Sequence, residues 1–293
     1  MIRSPTHATA IEKCGKVLRH FGIWVRDWWF HRRRPPVVIA WPDLPSRRST
    51  LHQVCRENHW ELTNVQRQNP LFIIRFEDQT FKSVSLPDWM NQGNRVFNVH
   101  CEDISKSHLD AHHQEVFGYG VSIDPMTHMG LILEKSDANA AHDGVERQGP
   151  LKHIVPGKVY QRIINNACRE AGHFCDLRLV FALGETPCLY IKQKTHDKRY
   201  TNETESAKLA LPQTQLAPSE LQRIGKLMAR LGVDMAELDL LRDRDDQQLY
   251  VVDVNPTPWG PPAGLSKSDR RRAIQLMAEC HMRLFKPQTT GRS

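Results

Sequence analysis

Apolar positions along this chain fall into short blocks with two different spacings. Residues 37–41 (Val-Val-Ile-Ala-Trp), 71–76 (Leu-Phe-Ile-Ile-Arg-Phe) and 96–99 (Val-Phe-Asn-Val) are brief apolar runs of the kind a buried strand presents. A helical stretch is expected over 49–58, between the first two. The alternation predicts a small α/β lobe ending near residue 105. Ser105 stands where an N-cap would open a helix running to about residue 116. From 129 to 200 strand signals dominate: 130–134, 159–164, 176–181 and 188–191, with Gly184 and Glu185 as a hairpin turn before the last. The polar stretch 195–217 reads as a loop. Pro218 suits a first helical turn, Leu221, Ile224, Leu227, Met228 and Leu231 form a helical stripe, and Gly232 ends it. A strand hairpin follows, then a last helix over 268–285 with Ile274, Met277, Ala278 and His281 along one side. There are no internal repeats or low-complexity tracts.

The hairpin, 239–255, is the most informative stretch. Strand side chains alternate between faces, so Leu249, Val251, Asp253 and Asn255 are expected on one face and Tyr250, Val252 and Val254 on the other. The second set is apolar and is expected to face a core. The first turns polar at its end, as the rim of a site would. A turn near Asp246 sets Asp239 opposite Asp253, roughly 5 Å away. Pro256 and Pro258 end the strand. Asp239, Asp253 and Asn255 are hard oxygen donors that suit Mg²⁺, which takes few protein ligands and completes its shell with water and phosphates. Asp243, Arg244, Asp245 and Asp246 read as solvated turn residues. The competing reading is a surface hairpin with solvated charges throughout. It is weakest for Asp253 and Asn255, because Asp and Asn are depleted in strands.

Composition narrows the class. The 293 residues are 40% apolar and 25% charged, which is ordinary for a soluble globular protein. No apolar run approaches the roughly 20 residues needed to span a bilayer, and no secretory signal is visible. The seven cysteines are scattered and form no CxxC, so reduced thiols in a cytoplasmic protein are expected. Net charge is +7, with arginine runs at 32–34, 47–48 and 270–272. Such a balance fits nucleic acid, a membrane surface or an anionic small substrate. Residues 1–36 read as a basic, aromatic extension. Its segment 21–34 has three readings: a peripheral membrane contact, a docking helix, or a start codon placed too early. Nucleic acid is not expected, because base-stacking aromatics do not interleave with the basic residues outside 24–34.

Familiar catalytic motifs are absent: no GxxxxGK[ST], no GxGxxG after a strand, no GxSxG and no HExxH. His108, His112 and His113 read as a solvated helix face. What remains is a series of single cations in strand or loop contexts. Lys106 sits at a helix start, where phosphate binds readily. Lys135 ends a strand and precedes the loop 136–144. Arg178 lies inside an apolar strand, and Lys192 and Lys194 follow another. A cation at the end of a buried strand is costly unless paired, and phosphates would pair it.

In that order, followed by the acidic hairpin, these residues make the chain resemble an ATP-grasp protein from about residue 106 to 265. The resemblance implies an α/β and α+β architecture. An extension (1–36) and a small α/β lobe (37–105) would precede an ATP-grasp domain (106–286) whose two α+β lobes sandwich the nucleotide, with 287–293 as a tail. It implies that Lys106 and Lys135 touch phosphates. Ser136, His142 and Gly144 would belong to a phosphate-covering loop, and Gln161, Arg162 and Ile163 to a hinge whose backbone reads adenine. Asn202 would lie near the phosphates. Arg178, in a DxR strand beginning at Asp176, and Lys192 would stand at the transferred group. Asp239, Asp253 and Asn255 would hold Mg²⁺, or Mn²⁺ in its place, in a (D/E)xN motif followed by proline.

The chain departs from the family pattern at several points. Ala138, Ala140 and Ala141 stand where loop glycines are common, and Asp253 replaces the usual Glu. The ribose-binding acid is not obvious, with Asn165 and Asn166 after the hinge and Glu170 further on. The implied function is a carbon–nitrogen ligase that activates a carboxylate as an acyl phosphate for attack by an amine. The alternatives are a kinase acting on a hydroxyl and a non-catalytic nucleotide-binding module. ATP and a small-molecule or peptide carboxylate are the implied partners.

Overall fold

Among the described residues the strands form three sheets. The computed structural model describes residues 35–82, 86–141, 143–168, 172–201 and 203–285. The residues from Val37 onward belong to one unit. His142, Asn202, Glu170, and the segment 21–34 lie outside the described residues.

The first sheet is parallel, in the order β2-β1-β3-β4, with β1 Val37–Pro42, β2 Glu61–Thr63, β3 Phe72–Phe76 and β4 Val96–Phe97. Helix α1 (Thr50–Glu57) crosses from β1 to β2 and is capped by the Ser49 hydroxyl. The expected third strand stops at Phe97 because Asn98 turns into the left-handed region. Its amide then clamps the chain entering a distant strand: Oδ1 accepts from the Asp234 and Met235 amides at 2.8 and 2.9 Å, and Nδ2 donates to Met235 O at 2.9 Å.

Helix α2 (Lys106–Phe117) opens at the Ser105 cap and ends at Gly118 in the left-handed conformation, as the sequence predicts to within a residue. A three-stranded antiparallel sheet follows, order β6-β5-β7, from β5 Gly130–Ser136, β6 Val145–Gly149 and β7 Lys158–Arg162. Strand β6 is exposed along most of its length, so it carries none of the apolar alternation that would have announced it.

The third sheet is antiparallel, order β10-β9-β8-β11-β12. It is built from β8 His173–Ala182, β9 Leu189–Thr195, β10 Ser206–Ala210, β11 Met235–Arg242 and β12 Leu249–Asn255. Two expectations are corrected here. The stretch 195–217 is not all loop, because β10 pairs with β9 as an edge strand. Lys192 and Lys194 lie inside β9, where pairing with β8 on one side and β10 on the other extends the strand to Thr195.

One face of this sheet is apolar throughout. Leu177, Leu179 and Phe181 of β8, Leu189 of β9, Ala236, Leu238 and Leu240 of β11, and Leu249, Val251 and Val254 of β12 pack beneath α2 and helix α3 (Pro218–Arg230). Burying each large aliphatic side chain is worth about 2 kcal/mol, so the set fixes which way every strand faces. The opposite face is apolar only at one end. There Val180, Ala182, Tyr190 and Met235 share a core with β1, β3, α1 and helix α4 (Lys267–Leu284). At its other end the same face carries Asp176, Arg178, Lys192, Lys194, Glu237 and Asp239.

The alternation expected for β12 fails at one residue. Asp253 opposes Asp239, as the hairpin reading requires, but Val251 opposes Leu240, so Val252 is left without a partner. This β-bulge switches the faces. Val254 points into the same core as Leu249 and Val251, whereas Tyr250 and Val252 pack elsewhere.

The expectation of scattered reduced thiols is also corrected: Cys168 and Cys175 form a disulfide, bringing together two cysteines whose separation matches no common motif. Cys55, Cys101, Cys188 and Cys280 are free and buried. His113 is buried rather than solvated. It stacks on Phe117 with ring centroids 4.2 Å apart, while its Nδ1 lies 2.9 Å from Tyr119 O. Among the described residues, no helix is long and apolar enough to cross a membrane.

Candidate active site

The charged end of the five-stranded sheet faces the three-stranded sheet across an open cleft of about 1000 Å³. Lys106, Lys135, Gly144, Gln161, Arg162, Ile163, Arg178, Lys192, Asp239 and Asp253 all line it. Elements far apart in sequence therefore converge here: α2, β5, β7, β8, β9, β11 and β12.

The cations are buried deeply enough to be perturbed. Burial lowers the Lys106 pKa, opposed by the negative charge of Asp253, and its Nζ donates to Ala138 O. Burial and the neighbouring charge of Lys106 push Lys135 down to about 8. Lys192 is likewise lowered by burial, with Asp239 opposing. A group of crowded, desolvated ammoniums lacks enough anion, which is what bound phosphates would supply.

The two opposed carboxylates behave oppositely. Burial would raise Asp239, but Arg178 and Lys192 hold it well below the usual carboxylate range. Arg178 grips it with two bonds, Nε to Oδ1 at 2.8 Å and Nη2 to Oδ2 at 2.9 Å. The Lys192 ammonium stands 3.5 Å from Oδ1. Asp253 is raised by burial and by the charge of Asp239, and its buried Oδ1 has no hydrogen-bond partner. Glu237, two residues before Asp239 on the same face, is the residue the sequence reading missed, although that spacing alone could have found it. Its Oε1 accepts from the Thr50 hydroxyl at 2.8 Å and its buried Oε2 is unpartnered, 3.9 Å from Arg178 Nη1.

An orphaned carboxylate oxygen beside a second carboxylate fits a hard divalent cation. Among the described residues no three His, Cys, Asp or Glu side chains already stand as a metal cluster. Arg178 occupies both oxygens of Asp239. Asn255 is not brought to the cleft wall. Its Oδ1 accepts from the Thr257 amide at 2.9 Å and lies 3.2 Å from the Thr257 hydroxyl. Register places Asn255 opposite Glu237.

Other expected residues fall into place with different partners. Ser136 does not line the cleft. Its amide and hydroxyl donate to Asp143 at 2.9 and 2.6 Å, and Lys158 also binds Asp143, which is thereby held well below its usual pKa. The start of the loop is also pinned by Asp137, which accepts from the Ser107 amide and hydroxyl in the first turn of α2, both at 2.8 Å. The Arg162 side chain leaves the hinge to meet Asp243 and the Tyr250 hydroxyl, both at 2.9 Å. Asp243 is fully buried by this contact, correcting its reading as a solvated turn residue. Asn165 binds the same turn through Asp245 at 2.8 Å, whereas Asn166 lines the cleft and donates to Asp176 at 2.9 Å. Asp176 also pairs with Lys194 at 2.8 Å.

The fold is similar to that of solved structures. The chain is similar to the solved structure of the ATP-grasp ligase PsnB complexed with minimal precursor, Mg and ADP. The TM-score is 0.55 at 12% identity, over 85% of this chain and 97% of that one. It is similar to D-cycloserine synthetase DcsG, with TM-score 0.51 at 13% identity, over 83% and 99%. A third similar structure is macrocyclase MdnB from Microcystis aeruginosa MRC, with TM-score 0.50 at 13% identity, over 84% and 99%. No protein-family model matches the chain, and no curated protein matches it. The chain has the ATP-grasp fold.

Proposed function

We propose that the chain binds Mg-ATP and works as an ATP-dependent carbon–nitrogen ligase. The observation that carries this reading is the convergence of Lys106, Lys135, Arg178 and Lys192, from a helix and two sheets, on the cleft that Asp239 and Asp253 also line. In this reading residues 106–286 form the nucleotide domain behind the lobe 37–105, with Lys106 and Lys135 on the phosphates and the backbone of Gln161 to Ile163 on adenine. Asp253 and Asp239 would hold Mg²⁺, which supplies charge neutralisation and orientation of phosphate oxygens.

The reaction breaks the bond between the γ-phosphorus and the bridging oxygen that leaves with ADP. It forms a bond from a substrate carboxylate oxygen to that phosphorus. Arg178 and Lys192 stabilise charge on the transferred group. An amine nitrogen then attacks the carbonyl carbon, phosphate leaves, and the amine proton passes to solvent. The fold resemblance supports this chemistry, since the similar PsnB and DcsG structures are described as a ligase and a synthetase. Incubating the chain with Mg-ATP, pooled carboxylates and hydroxylamine tests it. ADP and an acyl hydroxamate are expected. ADP with a phosphorylated hydroxyl product instead would make the protein a kinase.

One observation favours a second reading, a nucleotide-binding module without chemistry: Arg178 already occupies both metal-facing oxygens of Asp239. Its signature is a rise in melting temperature with ATP and no phosphate release under any acceptor mixture.

A further inference from the structure

A second concavity, of about 1650 Å³ of open space, adjoins the cleft, and Arg178 and Lys192 line both. Its far wall carries Arg47, Arg48, Arg56 and Arg270. The guanidiniums of Arg47, Arg48 and Arg56 meet no carboxylate among the described residues. Arg270 donates only to neutral acceptors, Pro261 O at 3.0 Å and Pro262 O at 2.7 Å, so its charge is not cancelled. The one acid in the wall, Glu203, is engaged by Lys198 at 3.0 Å. Trp259 stands at the edge, 66% exposed.

The groove is built rather than incidental. The loop after β12 and the loop before α1 are knitted together by the Thr50 amide, which donates to Pro258 O at 3.0 Å. Gly260 sits in the left-handed region with its α-carbon so close to Arg48 that a Cβ would lie 2.4 Å from Arg48 O. Arg48 O also accepts from the Gln53 side chain. The arginines therefore project from a fixed floor. Several guanidiniums around one open space repel each other unless anions lie among them, and planar forks match carboxylates bidentately.

We infer that this groove is the acceptor site and takes a substrate carrying several clustered carboxylates, one presented to Arg178 and Lys192 while the others rest on Arg47, Arg48, Arg56 and Arg270. The inference rests on the ligase reading of the cleft. A nucleic acid is disfavoured, because Trp259 is the one aromatic in the wall and a strand of bases needs a row of them.

The full chain is titrated, with and without Mg-AMPPNP, with tricarballylate and with the peptide triglutamate, which separate a small polycarboxylate from an acidic peptide. At least one is expected to bind, and to weaken tenfold or more in R47E/R48E and in R56E, at unchanged melting temperature and with nucleotide affinity within twofold of the parent. Monocarboxylates such as acetate are expected to bind at least a hundredfold more weakly. Binding of neither probe, equal binding by parent and variants, or tighter binding of a single-stranded oligonucleotide overturns the groove assignment. Failure of AMPPNP to bind, with the probes still discriminating the variants, instead overturns the nucleotide reading of the cleft and leaves the groove as a polycarboxylate site.

Discussion

Arg178 clamps Asp239 across the β8–β11 ladder with two parallel hydrogen bonds of 2.8 and 2.9 Å. Arg178 lines both the cleft and the basic groove, and the pair decides which neighbouring carboxylate keeps its charge without difficulty. Asp239 does, and Asp253 does not.

Asp253→Asn is expected to separate stability from chemistry. Its buried Oδ1 is unpartnered in the absence of a cation, so removing the charge leaves the melting temperature equal or higher. ATP turnover is expected to fall a hundredfold or more. A phosphate-release assay beside a thermal melt reads both, and retained turnover would end the metal assignment.

Arg178→Ala strips a buried carboxylate of its main partner and is expected to cost about 3 kcal/mol. Replacing Asp239 by Asn in the same chain is expected to recover most of that loss, because no charge is then stranded. Urea unfolding of the two single variants and the double variant gives the coupling. Additive effects would mean that the pair contributes little.

Lys135, at about 8, gives the nucleotide site a pH signature. Below that value the ammonium is charged and available to phosphate. Above it the free protein has lost the proton and must regain it on binding. Nucleotide affinity is therefore expected to fall as pH rises through 8, with proton uptake visible as a buffer-dependent heat in calorimetry. Lys135→Arg, which stays charged, is expected to flatten the profile between pH 7 and 9.5.

The Cys168–Cys175 bond closes a short loop beside the cleft residues Asn166 and Asp176. Reduction is expected to lower stability by about 2 kcal/mol, the loop-closure magnitude for so short a ring. A melt with and without dithiothreitol measures it. An identical melting temperature for a Cys168→Ser variant in both buffers confirms the source.

Much of this was legible from the residues alone. The opposition of Asp239 and Asp253 followed from hairpin length and turn position. The caps at Ser105 and the stop at Gly232 followed from local chemistry. Gly232 has a second reason for being glycine, since a Cβ there would stand 2.3 Å from His100 O. The four cleft cations were visible from their places, Lys106 at a helix start and Lys135, Arg178 and Lys192 at the ends of or inside strands. What escaped needed tertiary information. Strand β10 is five residues set in a polar stretch, and its pairing with β9 is what defines it. Asp243 is buried because Arg162, distant in sequence, reaches it. Glu237 is the exception, since its place two residues before Asp239 on the same strand could have revealed it. Asn255 was read as a ligand from the hairpin and from its motif, and the turn beyond it adds a hydrogen bond from the Thr257 amide to its side-chain oxygen.

The unpaired Val252 gives the hairpin a sensitivity to chain length that no substitution reproduces. Deleting that one residue would straighten β12 and leave Val251 opposite Leu240 and Asp253 opposite Asp239 as consecutive pairs, so Asp253 would still face the cleft and Val254 the core. Loss of one residue at the bulge therefore keeps the ladder, whereas an insertion within 250–253 adds a second unpaired residue and would be more damaging than replacement of Val252 by another side chain of its size.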